Sequence, residues 1–181
     1  IYGDGQVAAD RKEAGALSSA YKKDRALLRA RVAAGLATLK AQSGVAPDKV
    51  AAIGYCFGGT AVLELARSGA EVAGVVSFHG GLDSPAPQDA KQIRARVLAL
   101  HGADDPYVPA EQVAGFEEEM RKGGVDWQLI AYGNAVHSFT NQAHGNDNSK
   151  RAAYNAAADA RSWLAMRQFL DEVVGPVKNA N

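Results

Sequence analysis

An α/β fold, with a mostly parallel, doubly wound sheet and helices on both faces, is predicted by three observations. Short, near-continuous apolar runs recur along the chain, as expected of strands covered on both faces. Segments with helical periodicity separate several of them. Strand and helix patterns alternate along the chain, with Gly and Pro at several junctions, which implies right-handed βαβ units and a parallel sheet with ligands at the carboxyl ends of its strands.

The elements follow in order. From Asp24 to Ala41, "DRALLRARVAAGLATLKA" places Leu, Val and Ala at three- and four-residue intervals, an amphipathic helix stopped at Ser43-Gly44. After the turn "GVAPDK", "VAAIGY" reads as a strand and "GTAVLELARSG" as a helix ending at Gly69. "EVAGVVSF" and "RVLALHG" are further strands. "PAEQVAGFEEEMRKGG" is a helix with Pro at its start and glycines at its end, and "VDWQLIAY" is a strand. A last helix spans about Tyr154–Val174. No repeat or low-complexity tract interrupts the pattern, and residues 1–181 read as one domain.

Composition narrows the functional classes. The chain has 181 residues, 47% hydrophobic and 22% charged, with 20 basic and 20 acidic side chains. Net charge is zero and no Lys/Arg cluster is interleaved with aromatics, which argues against nucleic-acid and membrane-surface binding and for a small-molecule partner. No run reaches the length of a membrane span. The single cysteine excludes an internal disulfide and lacks a C-x-x-C companion, so no metal site and no cofactor is expected.

That cysteine lies in "IGYCFGG", where a strand ends and a helix begins at once, matching G-x-nucleophile-x-G with Cys56 as nucleophile. Side chains at 54 or 58 are expected to collide with neighbouring elements, which accounts for Gly54 and Gly58. The helix N-terminus lowers the thiol pKa, and the Phe57 backbone N–H points where an oxyanion forms. A small buried cysteine at a tight turn is the competing reading, which the flanking pattern disfavours.

Cysteine in this role needs a base and a group to orient it, in the chain order nucleophile, acid, histidine. The acid lies in "LALHGADDPYVP", where Asp104 and Asp105 both follow a strand; one of the two is expected to be only a turn former. The base is His137, in the loop after the strand that follows the acid loop. His79 and His101 also follow strands and could line a pocket, but His101 is too close to the acid. His144, in the polar "QAHGNDNSK", is expected to be solvated. "GDGQVA" at Gly3–Ala8 matches a dinucleotide fingerprint, but no strand precedes it, which removes its structural context.

With these motifs in place, the sequence resembles the dienelactone hydrolase family of α/β-hydrolases. That family carries "G-Y-C-x-G-G", "G-x-x-D-x-x-V-P" and "H-S-F"; here they read Gly54–Gly59, Gly102–Pro109 and His137–Phe139. The register selects Asp105 over Asp104. The resemblance implies a Cys56-Asp105-His137 triad that cleaves small esters or lactones through a thioester. It also implies that the family's first strands, and with them a second oxyanion donor, have no counterpart here. The chain is therefore expected to be the C-terminal three quarters of a domain, its N-terminal segment possible as a separate chain and a homodimer also possible. A cytoplasmic setting is slightly favoured.

Two arginines that the family sets against a substrate carboxylate are replaced near Asp4 and Asn141, which favours neutral substrates. Tyr55, Phe57, Tyr107 and Phe139 are expected either as pocket walls or as packing. Two other readings stand: an aryl phosphotriesterase using the same triad, whose residue intervals are similar to those of a promiscuous family member, and a non-catalytic binder of small ligands.

Overall fold

The computed structural model describes residues 1–3 and 5–176, apart from the side chain of Arg11; Asp4 lies outside the described residues. A first helix, α1 (Arg11–Lys23), precedes the one foreseen in the sequence. Asp10 caps it by accepting from the Glu13 N–H at 2.8 Å, and Glu13 reaches back to accept from the Ala9 N–H at 2.6 Å. The arrangement resembles a capping box, except that Glu13 takes the N–H of the residue before the cap rather than that of the cap itself. Asp24 ends α1 and caps α2 (Arg25–Lys40), its side chain accepting from the Leu27 N–H.

Four strands follow: β1 (Ala51–Tyr55), β2 (Gly74–Phe78), β3 (Arg96–Gly102) and β4 (Trp127–Tyr132), with α3 (Phe57–Arg67), α4 (Ala110–Gly123) and α5 (Ala156–Val174) between and after them. All pairings are parallel and the spatial order is β1-β2-β3-β4. A short 3-10 turn at Pro87–Gln92, rather than an α-helix, joins β2 to β3.

The central strands show why the apolar runs are continuous. Val75, Val97 and Ala99 face a core built with α3 and α4, while Val76, Leu98 and Leu100 face a second core under α5. Both sides of β2 and β3 are thus covered. β1 departs from the expected two-sided burial: among the described strands it pairs only with β2, and Ile53 and Tyr55 are each 42% exposed. An edge strand has no neighbour to cover its outer flank.

Beneath the first core lies a buried ion network. Arg67, fully buried, donates to both Glu119 carboxylate oxygens at 2.8 and 2.7 Å and to Glu64, and also to the carbonyls of Leu82 and Asp83. Glu64, also fully buried, further accepts from Arg25 and Arg29 of α2. A buried charge needs this degree of pairing. The network ties α2, α3 and α4 to the loop after β2, which borders the pocket described next.

Candidate active site

Cys56 and His79 follow adjacent parallel strands and are brought together by their pairing. Tyr55 is in register with Phe78, so the next residue of each strand emerges at one point on the sheet's carboxyl edge. The Cys56 N–H still donates to the Phe78 carbonyl at 3.0 Å, and the His79 N–H to Leu100 at 2.8 Å. Both residues then turn to positive φ, 51° at Cys56 and 39° at His79. Such conformations are costly for non-glycine residues and cluster at functional sites. Cys56 therefore occupies a strained strand-to-helix elbow at the head of α3.

The glycines fulfil this geometry differently from the expectation. A Cβ at Gly54 would run into the Gly58 carbonyl, and one at Gly59 would meet Ser77 Oγ at 2.6 Å and Gly80 Cα at 2.9 Å. A Cβ at Gly58 meets nothing within 4 Å. Close packing thus requires positions 54 and 59, not 58.

Asp105, almost wholly buried, accepts from the Tyr107 N–H at 2.8 Å with one carboxylate oxygen and from His137 Nδ1 at 2.8 Å with the other. Asp104 is exposed. His137 is pinned by a bridge to Ala152 and by the Ala153 N–H, which donates to its carbonyl. Cys56 Sγ and one nitrogen each of His79 and His137 lie within 4.8 Å of one another. The three residues of the expected triad are therefore together, with His79 added.

Around the sulfur, His79 Nδ1 lies at 3.4 Å and Ser138 Oγ at 3.1 Å. The other nitrogen of His79 is 2.9 Å from Thr140 Oγ1. Burial alone would push the Cys56 thiol up, but hydrogen bonding with the His137 and His79 imidazoles and with Ser138 outweighs it and lowers the thiol to about 5. Burial likewise disfavours a charged His137, yet its bonds to Asp105 and Cys56 raise it to about 9. The arrangement holds a thiolate beside an imidazolium at neutral pH.

An open cleft of about 1130 Å³ exposes Cys56, Phe57, Tyr107, His137 and Ser138. Tyr107 packs edge-on to His137, with the Arg151 guanidinium 5.5 Å from the centre of its ring. Phe57 lines the cleft and stacks on Tyr2. The other expected contacts fall elsewhere. Phe139 is fully buried against His79 and Tyr132 and belongs to the core. Tyr55 stacks on Phe78 at 4.4 Å, off the cleft, and the Asn141 side chain caps a short 3-10 turn by accepting from the Ala143 N–H. His144 borders the cleft rather than standing in open solvent, and buried His101 has its pKa lowered by desolvation. Lys22, Lys150 and Arg151 also line the cleft, so the lack of an arginine at 141 does not leave it without cations.

A nucleophile elbow at the carboxyl edge of a parallel sheet, with acid and histidine on later loops, defines an α/β-hydrolase. The chain belongs to the dienelactone hydrolase family, whose model matches residues 1–174. It is similar to the solved structure designated m3DLH (47% identity, TM-score 0.89, 96% of this chain and 72% of that one). It is also similar to P91, a dienelactone hydrolase-like promiscuous phosphotriesterase from metagenomic libraries (45% identity, TM-score 0.86, 95% and 72%). An uncharacterized protein of Caenorhabditis elegans is 34% identical over 147 residues, 80% of this chain and 93% of the relative. The chain spans about half the length of other curated relatives, among them proteins provisionally named carboxymethylenebutenolidase.

Proposed function

We propose that the protein hydrolyses small esters and lactones by acyl transfer from Cys56 to water. The observation that carries this reading is the 2.8 Å bond between His137 and Asp105 beside a thiol lowered to about 5. The Cys56 thiolate attacks the carbonyl carbon, and the oxygen that becomes negative is met by the Phe57 N–H at the head of α3. His137 gives its Nε2 proton to the leaving alcohol, and a thioester forms. His137 then takes a proton from water, the hydroxide attacks the thioester, and the acid leaves as Cys56 returns to thiolate. Asp105 holds the imidazole by its Nδ1–H throughout. The cations of the cleft favour admitting carboxylate-bearing substrates alongside neutral ones, which widens the neutral class expected from position 141.

The test is hydrolysis of p-nitrophenyl butyrate. Cys56→Ala, shown folded by circular dichroism, abolishes turnover, and Asp105→Asn lowers kcat on the order of 10⁴-fold by analogy with serine triads. Unchanged hydrolysis in folded Cys56→Ala rejects the mechanism.

A second reading is favoured by the likeness to P91, named for phosphotriesterase promiscuity. In it the thiolate attacks phosphorus of a neutral aryl phosphotriester, expels the phenolate and leaves a phosphorylated sulfur that water hydrolyses. Diethyl p-nitrophenyl phosphate, assayed beside the butyrate ester, compares the two on one leaving group.

A further inference from the structure

A hydrolytic triad needs one imidazole, and this nucleophile has two. His79 is 2% exposed, held at positive φ, and has no part in the proton transfers above. We propose that Cys56, His79 and His137 form a zinc site that takes up one Zn²⁺ and reversibly closes the active site. Binding is independent of which substrate is hydrolysed; only the inhibition rests on the proposed function.

The donor set and its spacing carry the inference. One sulfur and two ring nitrogens lie within 4.8 Å of one another. A tetrahedral Zn²⁺, with Zn–S near 2.3 Å and Zn–N near 2.0–2.1 Å, places S and N ligands about 3.5 Å apart. Sγ and His79 Nδ1 already stand at 3.4 Å. The remaining ring nitrogens are engaged as zinc-bound histidines require: His137 Nδ1 with the Asp105 carboxylate at 2.8 Å, His79 Nε2 with Thr140 Oγ1 at 2.9 Å. These partners set both ring orientations, leaving His137 Nε2 and His79 Nδ1 to ligate. The Cys56 N–H, which approaches Nδ1 at 3.3 Å, has a shorter bond to the Phe78 carbonyl and does not depend on that nitrogen.

Coordination forms one Zn–S and two Zn–N bonds and releases to solvent the proton that the thiolate–imidazolium pair held. The fourth position opens to the cleft, where Cys56 and His137 both line the wall. A thiolate with two imidazoles suits Zn²⁺ and its substitute Co²⁺, whereas Mg²⁺ and Ca²⁺ prefer oxygen donors.

The experiment titrates chelator-treated protein with Co²⁺ and reads the absorption spectrum. The expected result is one Co²⁺ per chain, with a near-ultraviolet thiolate charge-transfer band and visible tetrahedral bands, both erased by Zn²⁺. Thr140→Val, which keeps all three ligands, weakens binding roughly 10- to 100-fold, and His79→Gln weakens it by more than about 100-fold. Absence of the thiolate band, or wild-type affinity in both variants, overturns the proposal, since the latter means that sulfur alone binds. Ester hydrolysis lost with Zn²⁺ and restored by chelator completes the expected set. Spectral binding without inhibition would leave the site standing and count against Cys56 as the hydrolytic nucleophile.

Discussion

His79 Nδ1 faces Cys56 Sγ at 3.4 Å, yet of the thiol's two imidazole neighbours only His137 is held by a carboxylate among the described residues. The difference assigns the charge. Asp105 stabilises an imidazolium at His137, and the raised pKa of about 9 there answers the lowered thiol near 5. The two groups titrate as a pair, so the activity limbs belong to both.

Activity should therefore follow pH as a bell. Below about 5 the thiol gains its proton and the nucleophile is lost; above about 9 His137 loses the proton that the leaving group needs. Between those limits thiolate and imidazolium coexist. Plots of kcat/KM against pH, with iodoacetamide alkylation rates as a second readout, check the lower limb. A midpoint near 8.5, the free-cysteine value, rejects the ion pair.

Ser138 lends the thiolate a hydroxyl donor at 3.1 Å from a strained backbone, with φ at 58°. A hydrogen bond to a charged group contributes roughly 1.5–3 kcal/mol, or about 10- to 100-fold in ionisation. Ser138→Ala should shift the alkylation midpoint upward and lower kcat/KM most on the acid limb. A uniform loss at every pH would indicate a purely structural role.

Much of this site was legible in the sequence because its signals are local. The elbow requires glycines close to Cys56, at 54 and 59, and the acid and base loops each follow a strand. The sequence marks His79 only as a candidate pocket residue, because its meeting with the thiol depends on β1 and β2 being neighbours, 23 residues apart at the contact. Ser138 was read as part of a motif, with nothing in "HSF" to say that it turns to the sulfur while Phe139 turns to the core. The cap of α1 is present in "DRKE", but the helix behind it is hard to see because its apolar face is mostly alanine, with Leu17 and Tyr21 as its large apolar residues. Position 58 misled because a glycine at a turn and one under a contact look alike in sequence.

The glycine pair separates these cases. Gly54→Ala drives a methyl into the Gly58 carbonyl, backbone that cannot yield without moving the elbow, and should abolish soluble folded protein. Gly58→Ala meets open space near the start of α3 and should be neutral or stabilising by up to about 1 kcal/mol through helix propensity. Soluble yield of the two variants, with thermal unfolding of any that fold, decides it. Equal destabilisation at both positions would contradict the packing described.

Neighbouring glutamates on α4 offer a test of the buried network. Glu119 is 3% exposed and binds Arg67 through two hydrogen bonds; Glu118 is exposed and pairs with Arg121 and Lys122 at the surface. Removing one partner of a buried pair costs about 3–5 kcal/mol, since the other charge stays behind without compensation. Arg67 keeps Glu64 and two carbonyls, which places Glu119→Ala near the lower end, about 3 kcal/mol. For a chain of this size that lowers Tm by roughly 6–12 °C. Glu118→Ala should leave Tm where it is, because water and mobile ions already screen its partners. Scanning calorimetry of both variants at neutral pH reads the contrast. Because Arg67 also holds the carbonyls of Leu82 and of Asp83, which lines the cleft, Glu119→Ala should raise KM for esters even at temperatures where the protein remains folded.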